Sequence, residues 1–177
     1  TLTSYPYDWM EASFFYMDIP DRTLCRTDKF GSEFCQGYKD KGFNFKIRIK
    51  EEGLLPAIAI GINDIAGTGF YGSEYIVASY GINKLDLHFG LGWGAINNSS
   101  NSFKNPFGYI SDRFYERTPS GTEQGGKFQP SKYFSGEEAS PFFGLSYVVN
   151  DKLLLKLEND TTVTPGAVGY EIADKKY

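Results

Sequence analysis

A strict alternation of apolar and polar residues over positions 84–94 constrains the fold of this chain more than any other feature. The odd positions carry large apolar side chains, namely Leu85, Leu87, Phe89, Leu91 and Trp93. The even positions carry glycine or a charged or polar residue, namely Lys84, Asp86 and His88. Because successive side chains of a β-strand point to opposite faces of its sheet, this run predicts a strand with one apolar face.

Four further segments repeat this period of two, at positions 43–49, 57–62, 143–149 and 153–158. Residues 11–18 also predict a strand, followed by a loop with two cysteines that extends to about Asp40. Short turns are predicted at Asn150-Asp151, at Gly81-Ile82-Asn83, and between Gly53 and Pro56. Since such turns join antiparallel neighbours, the sequence predicts an all-β, antiparallel up-and-down meander.

From position 97 to about 140 the alternation gives way to Asn, Ser, Gly, Pro and scattered aromatic residues. We expect a long loop here, and loops of this length are often functional when they are ordered. Tyr133 and Phe134 lie in this segment, where their rings would either stack on sugars or pack the loop onto the sheet. The sequence leaves both alternatives open.

The hydropathy of the chain is compatible with membrane-spanning strands but not with a membrane-spanning helix. No stretch approaches the roughly 20 consecutive apolar residues that such a helix needs. The mean hydropathy is −0.37, as expected where lipid-facing apolar residues alternate with polar residues of a barrel interior. The sequence therefore predicts an outer-membrane-type β-barrel, complete or partial. The alternative is a soluble β-sandwich that binds carbohydrate, in which the apolar faces of two sheets meet.

Charge and motifs argue against several classes of function. The net charge is −4, and no run of Lys or Arg exceeds two residues, so we expect no nucleic-acid partner. Residues 67–72 match the dinucleotide-binding pattern G-x-G-x-x-G, but the acidic residue expected after the next strand is missing. We interpret them as a glycine-rich turn between antiparallel strands and expect no cofactor.

Cys25 and Cys35 are ten residues apart in a polar stretch, which suits a disulfide in an oxidising compartment. Two free buried thiols are the alternative. We expect no metal site, because His88 is the only histidine and lies far from both cysteines in the sequence.

The charged positions of the alternating strands are the candidate binding residues. In a barrel they would share the inner face, where opposite charges pair across strands or contact a passing polymer. This predicted set comprises Lys46, Arg48, Glu74, Asp86, His88, Lys152, Lys156 and Glu158.

No nucleophile elbow or metal-binding helix motif is present, so we expect no enzymatic activity. A glycan-active enzyme would instead need two carboxylates that converge in a cleft.

The order of several short motifs resembles the YjbH-like outer-membrane proteins of bacterial exopolysaccharide and capsule operons. The first motifs are Lys39-Asp40-Lys41-Gly42-Phe43, Leu55-Pro56-Ala57-Ile58-Ala59-Ile60-Gly61, Asn63-Asp64 and Gly67-Thr68-Gly69. Those that follow are Ser73-Glu74-Tyr75-Ile76-Val77-Ala78-Ser79, Leu91-Gly92-Trp93-Gly94, Asn105-Pro106-Phe107, Gly125-Gly126, Phe128, Phe134 and Pro141-Phe142-Phe143-Gly144 through Tyr147. Each motif is weak alone, but together they span about residues 39–160 in a specific order.

The resemblance implies a large, noncatalytic β-barrel in the bacterial outer membrane that assists exopolysaccharide or capsule production or export. Outer-membrane lipid, the polysaccharide and other polysaccharide-secretion proteins would then be its partners. Family members are considerably longer than 177 residues. We therefore expect residues 1–177 to form a single β-barrel region that is an excerpt of a longer barrel protein.

Overall fold

The computed structural model describes residues 1–27, 29–69, 71–97, 101–119 and 127–162. These residues form nine strands in one sheet. The strands are β1 (Leu2–Tyr7), β2 (Met10–Thr27), β3 (Glu33–Lys50), β4 (Ala57–Ile65), β5 (Ser73–Ile82), β6 (Leu85–Gly94), β7 (Phe103–Lys104), β8 (Glu138–Asn150) and β9 (Leu153–Asn159).

The strands follow one another across the sheet nearly in chain order. The order is β1-β2-β3-β4-β5-β6-β8, and β9 and the short β7 both pair with β8. All of these pairs are antiparallel. The predicted all-β antiparallel meander is therefore confirmed. Within the described residues β1 and β9 do not pair with each other, so the sheet is open.

The register assigns each strand residue to one of two faces. Leu87 is opposite Tyr80 of β5 and Leu145 of β8, so these three side chains share a face. We call it the apolar face, and it includes Ile47, Ile60, Ile76, Leu87, Leu145 and Leu157. We call the other the concave face, and it includes Glu11, Lys46, Tyr75, Val77, His88, Phe142 and Glu158.

From β4 to β8 a continuous band of the apolar face carries only apolar side chains. These side chains are Ile58, Ile60 and Ile62 of β4, Ile76, Ala78, Tyr80 and Ile82 of β5, Leu85, Leu87, Phe89 and Leu91 of β6, and Pro141, Phe143, Leu145 and Tyr147 of β8. None of them is buried, and five are exposed, including Phe89 at 59% and Phe143 at 48%. We call this set the apolar band. No second sheet covers it among the described residues.

Apart from the connection at the tip of the β2–β3 hairpin, short turns and long connections lie at opposite ends of the sheet. The turns β1–β2, β3–β4, β5–β6 and β8–β9 are short and lie at one end. The β8–β9 turn lies one residue later than predicted, at Asp151 and Lys152, and the Asn150 side-chain oxygen accepts a hydrogen bond from the Lys152 backbone. The longer β4–β5 and β6–β8 connections lie at the other end.

The predicted cysteine loop after residue 18 is wrong, because the chain continues there as a long β-hairpin. β2 and β3 are each 18 residues long and pair as far as Thr27 and Glu33. Cys25 lies directly opposite Cys35, and a disulfide joins them, as predicted. The covalent link holds the hairpin together beyond the part that β4 supports.

The β6–β8 connection is ordered in its described parts. It contains β7 and 3-10 turns at Pro106–Tyr109, Asp112–Tyr115 and Pro130–Lys132. The predicted loop from 97 to about 140 is thus confirmed in its position, since β8 begins at Glu138. No helix in the described part of the chain is long and apolar enough to cross a membrane.

Candidate functional site

The sheet curls around its concave face. Lys46 of β3 and Glu158 of β9 line the same cavity, which has a volume of about 400 Å³. These two strands are five strand spacings apart, or about 24 Å on a flat sheet. A single cavity of this size reaches both residues only because the sheet bends toward this face. We call this cavity the groove.

Two aromatic rings in the groove lie over glycines of the neighbouring strands. Tyr75 is opposite Gly61, and a Cβ atom at Gly61 would lie 2.1 Å from the Tyr75 ring. Phe142 is opposite Gly90, where a Cβ atom would lie 2.2 Å from the Phe142 ring. The rings contact each other edge to face, with centroids 6.2 Å apart. Each glycine therefore provides the space that a ring occupies.

Polar groups surround these rings. His88 and Ser79 are cross-strand partners on the concave face, and their side chains are hydrogen-bonded at 2.8 Å. At the end with the long connections, the Thr161 hydroxyl donates to the Ile96 carbonyl at 2.6 Å. Both residues line the groove.

The predicted residues Lys46, Arg48, Asp86 and His88 all lie on the concave face, as expected. Lys46 and Arg48 also line a second cavity of about 210 Å³ on this face, together with Glu11. Arg48 forms an ion pair of 3.1 Å with Glu51, but exposed pairs of this kind contribute little stability.

The predicted position of Glu74 is wrong. The register places Glu74 opposite Trp93, on the apolar face, and its side chain is 1% exposed. Arg117 of the β6–β8 connection binds both carboxylate oxygens of Glu74, at 2.7 and 3.0 Å. Arg117 also donates to the carbonyls of Gly72, Lys132 and Ser135. This buried pair fastens the connection to the sheet.

The aromatic residues of the β6–β8 connection mainly pack against the sheet and one another. Phe134 and Phe107 lie against the fully buried Trp93, with ring centroids 5.3 and 5.4 Å away. Tyr133 contacts Phe128 at 5.8 Å. Of the two alternatives for Phe134, its contacts correspond to packing and not to an open sugar-stacking surface.

Asp64 is a buried carboxyl at the end of β4, past the apolar band and next to the glycine-rich turn. It is 6% exposed, and its Oδ2 accepts from the Tyr71 backbone at 3.1 Å. Its Oδ1 has no hydrogen-bond partner among the described residues. Burial, followed by repulsion from the Asp40 carboxylate, raises the pKa of Asp64 from 3.8 to about 7.

Asp40 stabilises the same turn from β3. Its carboxylate accepts hydrogen bonds from the Thr68 hydroxyl at 2.9 Å and from the Thr68 backbone at 3.4 Å. Residues 67–69 therefore connect antiparallel strands and are held by side chains of this chain. The interpretation of the G-x-G-x-x-G match as a turn is confirmed.

Sequence reasoning missed Tyr75, Phe142 and Arg117. Tyr75 and Phe142 belong to alternating strands, but their partners Gly61 and Gly90 are distant in sequence. The sequence signal that could have located these two rings is a bulky aromatic residue paired with a glycine of the next predicted strand. Arg117 lies in a segment without periodicity, so no sequence signal pointed to its partner.

Comparison with known proteins identifies the family. The family model for exopolysaccharide biosynthesis protein YbjH matches residues 1–163. This chain belongs to the YjbH family. It is 39% identical over 154 residues to a protein of Escherichia coli strain K12 named uncharacterized lipoprotein YjbH. The alignment covers 86% of this chain but only 21% of that relative. No solved structure matches the chain.

The predicted resemblance to YjbH-like proteins is therefore confirmed, and the family is one related to exopolysaccharide biosynthesis. The chain spans about a fifth of the length of its curated relative. What the whole protein does is accordingly a matter for proposal.

Proposed function

We propose that this chain is part of a noncatalytic outer-membrane β-barrel that assists the production or export of an exopolysaccharide. Membership of the YjbH family carries the link to exopolysaccharide biosynthesis. The two-faced, curled sheet carries the link to a barrel. The proposed partners are outer-membrane lipid, the polysaccharide and other polysaccharide-secretion proteins.

The apolar band supports a lipid-facing surface. Its side chains are apolar on neighbouring strands and none of them is buried, whereas the concave face carries charges of both signs. β5 and β6 are each 10 residues long, and a transmembrane β-strand needs about 9–11 residues. Alternation of lipid-facing apolar and inward polar residues is the pattern of such strands.

The unequal ends of the sheet support the same proposal. Outer-membrane barrels have short turns on the periplasmic side and longer loops on the extracellular side. In this orientation the short β5–β6 and β8–β9 turns face the periplasm, and the β6–β8 connection faces outward. The name of the Escherichia coli relative includes the word lipoprotein, which supports an envelope location for this chain.

A soluble carbohydrate-binding sandwich is the second candidate, and the open sheet favours it. In that arrangement another sheet would cover the apolar band, and lipid would not be needed. The concave face would remain available to carbohydrate. The two candidates differ in what contacts Phe89 and Phe143, which are both largely exposed here.

Fractionation of the full-length protein tests the proposal. We expect it in the outer membrane, and we expect the detergent-extracted band to migrate differently on gels before and after heating. A soluble protein with unchanged mobility would contradict the barrel and favour the sandwich.

Deletion of the gene in a polysaccharide-producing strain should also lower the amount of surface polymer, and an unchanged amount would contradict the role in production or export.

A further inference from the structure

The groove on the concave face has the features of a ligand site. Its volume of about 400 Å³ falls in the range of about 300–1,000 Å³ that is usual for ligand pockets. It combines the partly buried rings of Tyr75 and Phe142 with the polar pair formed by Ser79 and His88. A few polar groups around an apolar surface are what orients a ligand in such pockets.

We propose that Tyr75 and Phe142 form a stacking surface for a sugar ring, and that the groove binds a short segment of a neutral polysaccharide. This inference rests on the proposed function, because it names the ligand of the same concave face. It adds the residues that bind the polymer and the type of sugar chain that fits them.

The positions of the two rings support stacking. Each ring occupies the space above a glycine of the next strand, so its inner side rests on backbone. Its remaining accessible surface lines the groove. The C–H groups on one face of a sugar ring are apolar and pack on such a surface, as apolar groups generally do on aromatic side chains.

The polar groups match the hydroxyls of a sugar. Ser79, His88 and Thr162 line the groove and offer both donors and acceptors. They come from β5, β6 and the segment after β9, so they surround the aromatic surface from more than one side. A lipid chain would offer no partner for the hydrogen-bonding capacity that the Ser79–His88 bond leaves unused, which is costly once water is displaced.

The charges around the groove favour a neutral ligand over an anionic one. Lys46 lies on one side, and Glu158 and Asp160 lie on the other. The two carboxylates oppose the attraction that the lysine would exert on a phosphate or an acidic polymer. An uncharged sugar chain meets no such repulsion and can accept a hydrogen bond from the ammonium group.

A pair of phenylalanine variants tests the proposal. The probe is fluorescently end-labelled oligosaccharide, cut from the exopolysaccharide of the bacterium that makes this protein. Binding to the full-length protein in detergent is followed by fluorescence anisotropy. We expect Phe142→Ala to weaken binding about tenfold, and Phe89→Ala, which removes a ring of the apolar face, to change it less than about twofold.

A second pair guards against a folding defect in Phe142→Ala. Val77 lines the groove, whereas its neighbour Ala78 points to the apolar face. We expect Val77→Trp to obstruct the groove and weaken binding about tenfold, while Ala78→Trp leaves it within about twofold. Equal effects within both pairs, or no binding by the unmodified protein, would overturn the inference.

Two further measurements separate the possible sources of error. Oligosaccharide from the core of lipopolysaccharide serves as a competitor of the labelled probe. If this core oligosaccharide were the only competitor that displaced the probe, the assignment to the exopolysaccharide would be overturned. Outer-membrane partition and heat-dependent mobility are recorded on the same preparations. A membrane-inserted protein that does not bind the probe would refute this inference and leave the barrel intact. A soluble protein would refute the barrel itself.

Discussion

Arginine substitutions along β6 distinguish a lipid-facing band from a water-facing one. Leu87 and Phe89 point to the apolar face and are 37% and 59% exposed. If water contacted them, arginine at either position would change the free energy of unfolding by only about 0.5 kcal/mol. At the midplane of a bilayer, the same change costs about 2–4 kcal/mol.

The cost should also depend on depth. Leu85 begins β6 next to the short β5–β6 turn, where a barrel strand leaves the hydrocarbon, so Leu85→Arg should cost only about 0–1 kcal/mol. His88 is the matched control, because it lies between Leu87 and Phe89 but points to the concave face. His88→Arg introduces the same side chain away from lipid, and we expect it to cost less than about 1 kcal/mol.

Folding of the full-length protein into phosphatidylcholine vesicles measures these differences. Titration with guanidinium chloride gives the free energy of unfolding, and heat-dependent gel mobility reports the folded fraction. Large costs for Leu87→Arg and Phe89→Arg with small costs for Leu85→Arg and His88→Arg would support a lipid-facing band. Equal costs at all four positions, or a larger cost at His88, would refute the assignment of the two faces.

Three other predictions concern the end of the sheet with the long connections. The folded chain raises the pKa of Asp64 from 3.8 to about 7, so protonation of this carboxyl stabilises the fold. The stabilisation is complete below about pH 4 and is lost by about pH 7. It amounts to at most about 4 kcal/mol. Asp64→Asn should remove this loss, and unfolding titrations that show the same decline between about pH 4 and about pH 7 in both proteins would contradict the reasoning. Removing Arg117 leaves the buried Glu74 carboxylate unpaired, so Arg117→Met should cost about 3–5 kcal/mol, whereas the double variant with Glu74→Gln should recover part of it. Limited proteolysis of the β6–β8 connection measures the effect, and equal cleavage of the single variant and the unmodified protein would argue against the role of the pair. Replacing Cys25 and Cys35 by serine should destabilise the β2–β3 hairpin by up to about 3 kcal/mol, and hydrogen exchange of that hairpin that does not change would disprove this.

The sequence by itself determined the strand content and the family. Alternation is a local property, because neighbouring side chains on a strand must point to opposite faces whatever the rest of the chain does. The runs around Leu87, Ile60 and Leu155 therefore predicted β6, β4 and β9 directly. The ordered motifs from Lys39 to Tyr147 predicted the YjbH family, since they depend on sequence alone.

The tertiary structure decided which residues meet. β5 carries apolar residues at both odd and even positions, so its sequence did not show on which face Glu74 lies. The register with β6 placed Glu74 beside Trp93, where Arg117 binds it. The polar sequence around Cys25 suggested a loop, but pairing with β3 made it a strand.

The groove also depended on the tertiary structure. Lys46 and Glu158 are far apart in the chain, and only the curl of the sheet brings them to one cavity. Tyr75 and Phe142 owe their positions to glycines on neighbouring strands, which the pairing selects. Strand formation follows from the local pattern of side chains, whereas register and curvature follow from packing between distant segments, and the groove is a product of the latter.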